Sequence, residues 1–221
     1  MYLSQLILEH PPRSRALRRD LAFPYQMHKT LSRAFADQGQ RVLFRLDSPR
    51  RGAPRVLVQS EQEPDWSFLG HMPGYASRVT AKPFVPDFSP GQLLRFRLRA
   101  NPTKKVGTSS KAQRLAGKKN NGQRLALLME EDQRDWLARK AAAGGFVVNP
   151  AAVWISREDS PRYMVKGWQG ANGNKRKLSL FSVLFEGYLQ VRDPGEFVST
   201  LRSGIGPGKG LGFGLLSLAP A

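Results

Sequence analysis

The chain has 221 residues, 40% of them hydrophobic, and 35 Lys and Arg against 17 Asp and Glu give it a formal charge of +18. This length and apolar content suit one large domain or two small ones, and the excess charge selects a polyanion, nucleic acid before a membrane surface. The absence of cysteine excludes disulfides, thiolate zinc sites and cysteine nucleophiles.

No run approaches the ~18 apolar residues of a spanning helix. The segment Met1–Glu9 lacks the basic n-region of a signal peptide, so a cytoplasmic location without membrane attachment is expected. In chain order, residues 2–9 read as a strand and residues 11–19, with Arg13, Arg15, Arg18 and Arg19, as a basic loop. Pro24 suits the first turn of a helix running to about Ala36. Residues 41–47 and 54–60 read as two strands, and Pro64–Leu69 opens a short helix. Residues 93–99 alternate with period 2, with Leu94, Phe96 and Leu98 on one face and Arg95, Arg97 and Arg99 on the other. The order β-α-β-β-(α)-β is that of a ferredoxin-like or RRM-like unit.

Residues 88–129 hold ten Lys and Arg and no acid. Their middle, 101–122, reads as a basic linker or an RNA-ordered loop between domains at 1–100 and 123–221. A helix is expected over about Arg124–Ala143, with Leu125, Leu128 and Leu137 facing the core. Strands follow at 145–156, 162–168, 178–184 and 185–191. The turn Gly170–Asn174 tolerates positive φ and carries Lys175, Arg176 and Lys177 into its second strand. This tip is either a solvated turn or a basic probe for an RNA groove. Asp193 is placed to cap a helix over 193–202.

Six glycines alternate through Gly204–Gly214 around Lys209 before a last apolar strand. Such a loop either cradles phosphate on its backbone N–H groups or makes a cluster of tight turns. No register gives G-x-G-x-x-G, and no Gly-Lys is followed by Ser or Thr, so it is neither a dinucleotide loop nor a P-loop. The three histidines, His10, His28 and His71, share no metal-ligand spacing. On the helix from Pro24, advancing about 100° per residue, Tyr25 and His28 flank the stripe of Met27, Leu31 and Ala34. They either edge the core or face a common cleft, with Lys29 and Arg33 close by. Imidazole, with an unperturbed pKa of about 6.5, suits proton transfer at neutral pH; a phenol, near 10, is a better donor than base.

Four segments resemble the CasE (Cse3) endoribonuclease family of the Cascade CRISPR complex. They are Met1-Tyr2-Leu3-Ser4; Arg19-Asp20-Leu21 with Tyr25-Gln26-Met27-His28; Phe96-Arg97-Leu98-Arg99-Ala100-Asn101-Pro102; and Phe185-Glu186-Gly187 with Gly204-Ile205-Gly206-Pro207 and Gly212 to Pro220. The resemblance implies an α+β fold of two tandem ferredoxin-like (RAMP) domains with antiparallel sheets. It implies metal-independent, cofactor-free cleavage of precursor CRISPR RNA at the base of the repeat hairpin. The products would be a 2′,3′-cyclic or 3′-phosphate and a 5′-OH, with the product RNA kept among the other Cascade subunits.

His28 takes the place of the family's catalytic histidine and Tyr25 that of its assisting tyrosine. Arg33 or Lys29 takes that of a variable basic helper. Lys29, Arg97, Arg99, Lys175, Arg176, Lys177, Gly206, Gly208 and Lys209 are the expected RNA contacts. No aromatic RNP signature is present, so single-strand stacking across the sheets is not expected. Two other readings remain: a non-catalytic RNA-binding subunit of a ribonucleoprotein, and a DNA-binding protein, for which no helix-turn-helix or zinc pattern exists.

Overall fold

The computed structural model describes residues 1–36, 39–49, 51–105, 124–156, 163–169 and 175–221. The first half runs β1 (Tyr2–Leu8), α1 (Arg15–Ala22), α2 (Pro24–Ser32), β2 (Leu43–Asp47), β3 (Arg55–Ser60), a 3-10 turn (Ser67–His71) and β4 (Ala76–Pro83). Its sheet order is β2-β3-β1-β4, with every pairing antiparallel. The second half runs β5 (Leu93–Ala100), β6 (Thr103–Lys105), β7 (Arg124–Ala126), α3 (Glu130–Ala142), β8 (Phe146–Val148), β9 (Trp154–Ser156), β10 (Tyr163–Gln169), β11 (Lys175–Leu180), β12 (Val183–Val191), α4 (Pro194–Ser203) and β13 (Leu216–Pro220). Its main sheet has the order β13-β5-β12-β8, with β9 also on β12. Both halves place the first and third strands of a βαββαβ unit at the centre of the sheet. They are two ferredoxin-like domains in tandem, and the β10–β11 hairpin is an insertion in the second.

Each domain has its own core. Leu6, Leu8, Leu17, Met27, Leu31, Phe44, Val56, Val58 and Tyr75 fill the first. Phe96, Leu98, Trp136, Leu137, Phe146, Phe185, Phe197 and Leu201 fill the second. The period-2 reading of β5 holds, since Leu94, Phe96 and Leu98 are all buried. Asp193 caps α4, its Oδ1 accepting from the Glu196 N–H at 3.0 Å. Among the described residues no helix is long and apolar enough to cross a membrane.

Three expectations are corrected. The basic loop at 11–19 is partly helix: Ser14 caps α1 through its Oγ, which accepts from the Leu17 N–H, and Leu17 is buried beneath it. The helix expected from Arg124 begins at Glu130, because Arg124–Ala126 pairs with Thr103–Lys105. Leu125 and Leu128 are therefore exposed, and only Leu137 of that trio joins the core. Three acids in the first turn of α3 and Arg139 and Lys140 in its last set its polarity with the helix dipole. Most of the basic stretch 101–122, and the turn 170–174, lie outside the described residues.

Candidate active site

The helix α2 carries the titratable pair. Pro24 opens it, and Met27, Thr30 and Leu31 turn inward. Its pose is fixed from behind by the carboxylate of Asp20, which is almost wholly buried. Asp20 accepts from Thr30 Oγ1 at 2.6 Å, from the Tyr75 hydroxyl at 2.8 Å and from Arg19 Nε at 2.7 Å. A buried carboxylate is tolerable only when its lone pairs are met in this way. The Tyr75 phenol, desolvated and beside that negative charge, is held far above its usual range.

On the opposite side of α2, His28 lies between two rings. Its centroid is 6.4 Å from Tyr25 and 6.2 Å from Phe44 of β2, both in stacked orientation. Its Nδ1 is buried with no hydrogen-bond partner among the described residues, so packing rather than a carboxylate orients the imidazole. Desolvation lowers the pKa of His28 below 6.5, which leaves the ring neutral, and able to accept a proton, at pH 7.

The remaining wall comes from the second domain. A cleft of about 440 Å³ is lined by Tyr25 and His28, by Asn101, Thr103, Arg124 and Leu180, and by Pro207–Leu211. A Cβ added at Gly210 would stand 3.8 Å from His28 Nε2, so Gly210 faces the imidazole with room for little more than a methyl group. Lys209 enters the same cleft, its pKa lowered by burial and by the nearby charges of Arg41 and Lys140. No carboxylate lines the cleft among the described residues. An adjoining cavity of about 380 Å³ shares Thr103, Arg124, Pro207 and Lys209 with it and adds Lys140 and Gly206. Among the described residues no cluster of three or more His, Asp or Glu could hold a metal.

The expected site residues divide. Tyr25, His28, Gly208 and Lys209 come together, and Gly206 lies next door. Lys29 lies beside them, its Nζ 5.0 Å from the Tyr25 ring centroid. Arg33 points elsewhere: its guanidinium stacks on Phe68 at 4.5 Å and donates to the Met72 sulfur, because the 3-10 turn covers that side of α2. Of the two helper candidates, Lys29 is the one beside the cleft.

Arg97 and Arg99 are not an exposed cationic face either. Arg99 is buried, its Nη1 donating to Leu46 O at 2.8 Å; Arg97 pairs with Glu186 at 2.8 Å and with Asp47 at 3.8 Å. The first domain covers the Arg99 end of this face and leaves Arg97 half-exposed, which one sequence pattern in isolation could not reveal. Lys175 and Arg176 pair in register with Gln169 and Trp168 on the inserted hairpin, and Lys177 follows on the same strand. The side chains of all three lie outside the described residues.

The loop glycines serve packing first. A Cβ at Gly212, where φ is +85°, would stand 3.1 Å from the Phe44 ring, and one at Gly208, where φ is +88°, 3.0 Å from Phe213. Only glycine takes this backbone at such close approach without strain. Sequence reasoning missed Asn101, Thr103, Arg124 and Phe44. The first three lie at the edges of the basic linker, where residue type alone gives no sign of a cleft.

Residues 1–220 match the family described as CRISPR associated protein. The chain is 43% identical to the CRISPR-associated endoribonuclease Cse3 of Thermus thermophilus, with both chains fully covered. It belongs to the Cse3/CasE family. The CRISPR system Cascade subunit CasE of Escherichia coli is 33% identical, again over both whole chains. A Cse3 structure bound to 19-nucleotide RNA covers 100% of each chain at 42% identity and a TM-score of 0.81. The Thermus thermophilus Cse3 bound to RNA representing a pre-cleavage complex covers 99% of this chain and 98% of its own, at 42% identity and a TM-score of 0.79. The tandem ferredoxin-like architecture is thus common to this chain and its Cse3 relatives.

Proposed function

We propose that this Cse3/CasE family member is a metal-independent endoribonuclease. It cleaves precursor CRISPR RNA at the base of each repeat hairpin and keeps the product within a Cascade-type complex. The observation that carries the reading is the cleft itself, which joins a neutral, desolvated His28 to Tyr25, Lys209 and Arg124 with no acid in its described wall. The RNA named in the relatives' structures and the endoribonuclease name of the Thermus protein support the substrate class. The Cascade name of the Escherichia coli relative supports the assembly.

His28 accepts the proton of the ribose 2′-OH, whose oxygen attacks the adjacent phosphorus. The bond to the 5′-oxygen breaks, and that oxygen takes a proton from the Tyr25 hydroxyl or from solvent. The products are a 2′,3′-cyclic phosphate, opening to a 3′-phosphate, and a 5′-OH. Lys209 and Arg124 offset the charge that grows on the phosphoryl oxygens, an effect magnified where water is partly excluded. Lys175, Arg176 and Lys177 supply further backbone contacts from the inserted hairpin.

The test is end-labelled repeat hairpin RNA incubated with the protein in excess EDTA. Cleavage at one position, lost when a 2′-deoxy nucleotide precedes the cut and leaving a cyclic phosphate, is expected. Dependence on added divalent metal, or products ending in 3′-OH, would refute the mechanism. Tight binding without any cleavage would leave only the role of a binding subunit.

A further inference from the structure

The helix α2 is nine residues long, and its N-cap, Phe23, supplies no side-chain hydrogen bond. So short a helix depends on tertiary contacts. Met27 and Leu31 are buried beneath it, but apolar burial is non-directional and leaves the helix free to roll about its axis. His28 adds no polar tie of its own. Its Nδ1 is buried without a partner among the described residues, and its ring lies 6.4 Å from that of Tyr25 and 6.2 Å from that of Phe44.

Thr30 does add one. It is buried, and its hydroxyl donates to Asp20 Oδ2 at 2.6 Å, the short distance of a charge-assisted bond. The acceptor is itself held: Asp20, on α1, also accepts from the Tyr75 hydroxyl at 2.8 Å and from Arg19 Nε at 2.7 Å. Arg19 Nη2 in turn donates to Thr30 Oγ1 at 3.3 Å.

At about 100° per residue, Thr30 lies about 200° around α2 from His28. Met27 and Leu31 fall between them, so His28 is on one flank of the buried stripe and Thr30 on the other. A roll that lengthens the Thr30–Asp20 bond therefore carries the imidazole along the cleft. Hydrogen bonds are directional, so this one resists the roll that apolar packing permits. A displacement of about 1 Å at a reacting group can cost about 10²-fold in rate. Resting on the proposed RNA cleavage, we propose that Thr30 and Asp20 are positioning residues: their hydrogen bond sets the roll of α2 and thereby holds the His28 imidazole at the attacking 2′-OH.

The experiment measures single-turnover cleavage of repeat hairpin RNA in EDTA, with protein in saturating excess and well below its melting temperature. Thr30→Val keeps the shape of the side chain and removes the hydroxyl, whereas Thr30→Ser keeps the hydroxyl. Thr30→Val is expected to slow cleavage roughly ten- to hundredfold with RNA affinity within about twofold, and Thr30→Ser to stay within about threefold of wild type. The decisive readout is the same substitution in His28→Ala protein. A residue that acts through His28 costs nothing more once the imidazole is gone, while a general loosening of the fold slows both backgrounds alike. Asp20→Asn, of nearly equal volume, should show the same dependence on His28 and answers the question should Thr30→Val fail to fold. The inference is overturned if Thr30→Val slows the His28→Ala protein by the same factor, or if Thr30→Ser is as slow as Thr30→Val. Wild-type protein that cleaves while Thr30→Val matches its rate refutes this inference alone. Wild-type protein that cleaves no repeat RNA refutes the proposed reaction and this inference together.

Discussion

The seam between the two domains and the cleft beside it both hold arginine and lysine, but they treat the charge in opposite ways. In the seam the arginines are tied to groups across the domain boundary, although Arg99 Nε is left without a partner among the described residues. Arg45 is nearly buried and donates to Asp47 at 2.9 Å, to the Ser217 hydroxyl at 2.7 Å and to Arg97 O at 3.1 Å. Arg99 reaches Leu46 O, and Gln59 crosses to Leu201 O at 2.7 Å. In the cleft Lys209 and Arg124 have no acidic partner among the described residues, and Arg41 and Lys140 add to the same field. Matched cations hold two domains in one pose. Unmatched cations raise the local potential and draw in an anion. One structure thus separates arginines committed to architecture from lysines and arginines available to a phosphate backbone.

The largest effect that would break this contrast is in the seam. Arg45→Ala should cost about 3 kcal/mol of stability, since removing one member of a buried pair strands the other. Thermal melting reads this, while RNA affinity measured well below the melting transition should change less than about twofold. A large loss of affinity with unaltered melting would move Arg45 into the RNA site. Gly212→Val comes next, at about 2 kcal/mol, because a β-branched residue is forced into positive φ against the Phe44 ring. An unaltered melting temperature would show that the loop relaxes away from β2.

Lys209→Ala should leave melting unchanged, weaken RNA binding about tenfold and reduce the slope of log affinity against log salt by about one unit. An unchanged slope would remove Lys209 from the backbone contacts. Gly210→Ala is the smallest change. Its Cβ would meet His28 at an ordinary contact distance, so a several-fold loss of cleavage without loss of stability is expected from single-turnover rates. A fall in melting temperature would make Gly210 a packing position like Gly212.

The pH dependence follows from the burial of His28. Its folded pKa is depressed below that of the unfolded chain, so the stability this residue contributes is present above about pH 6.5 and is lost as pH falls below it. The acid limb of kcat/KM, which reports the free protein, should bend below pH 6.5. That of kcat should bend higher, because a bound phosphate favours imidazolium. An acid limb at or above the usual histidine value in kcat/KM would contradict the desolvated setting of the ring.

The fold was legible because its signals are local. Period-2 alternation in residues 93–99, Pro24 opening a helix and Asp193 capping another each name an element and a face, and the element order then gives the first ferredoxin-like unit, the second being implied by the family resemblance. The pairing of Tyr25 with His28 at i, i+3 was legible for the same reason. What differed depended on segments distant in sequence. Arg97 and Arg99 alternate as a solvent face should, yet β2 of the other domain covers Arg99 and brings Asp47 to the half-exposed Arg97. Arg33 sits one turn beyond Lys29, yet Phe68, from a distant turn, takes its guanidinium. The glycine loop read either as a phosphate cradle or as a cluster of tight turns, and most of its glycines stand against Trp136, Phe213, Phe44 and backbone atoms of neighbouring residues. Such demands come from chain segments far apart in sequence, and no local pattern encodes them.

The central claim is that His28, held by stacking in a cleft free of described acids, moves the proton that starts RNA cleavage. Its most direct test is the single-turnover cleavage rate of His28→Ala on repeat hairpin RNA, at protein concentrations that saturate binding, with affinity and melting measured in parallel. The account predicts a rate about 10²–10⁴-fold below wild type, with affinity within about twofold and melting unchanged. A rate equal to wild type on fully bound RNA would contradict it.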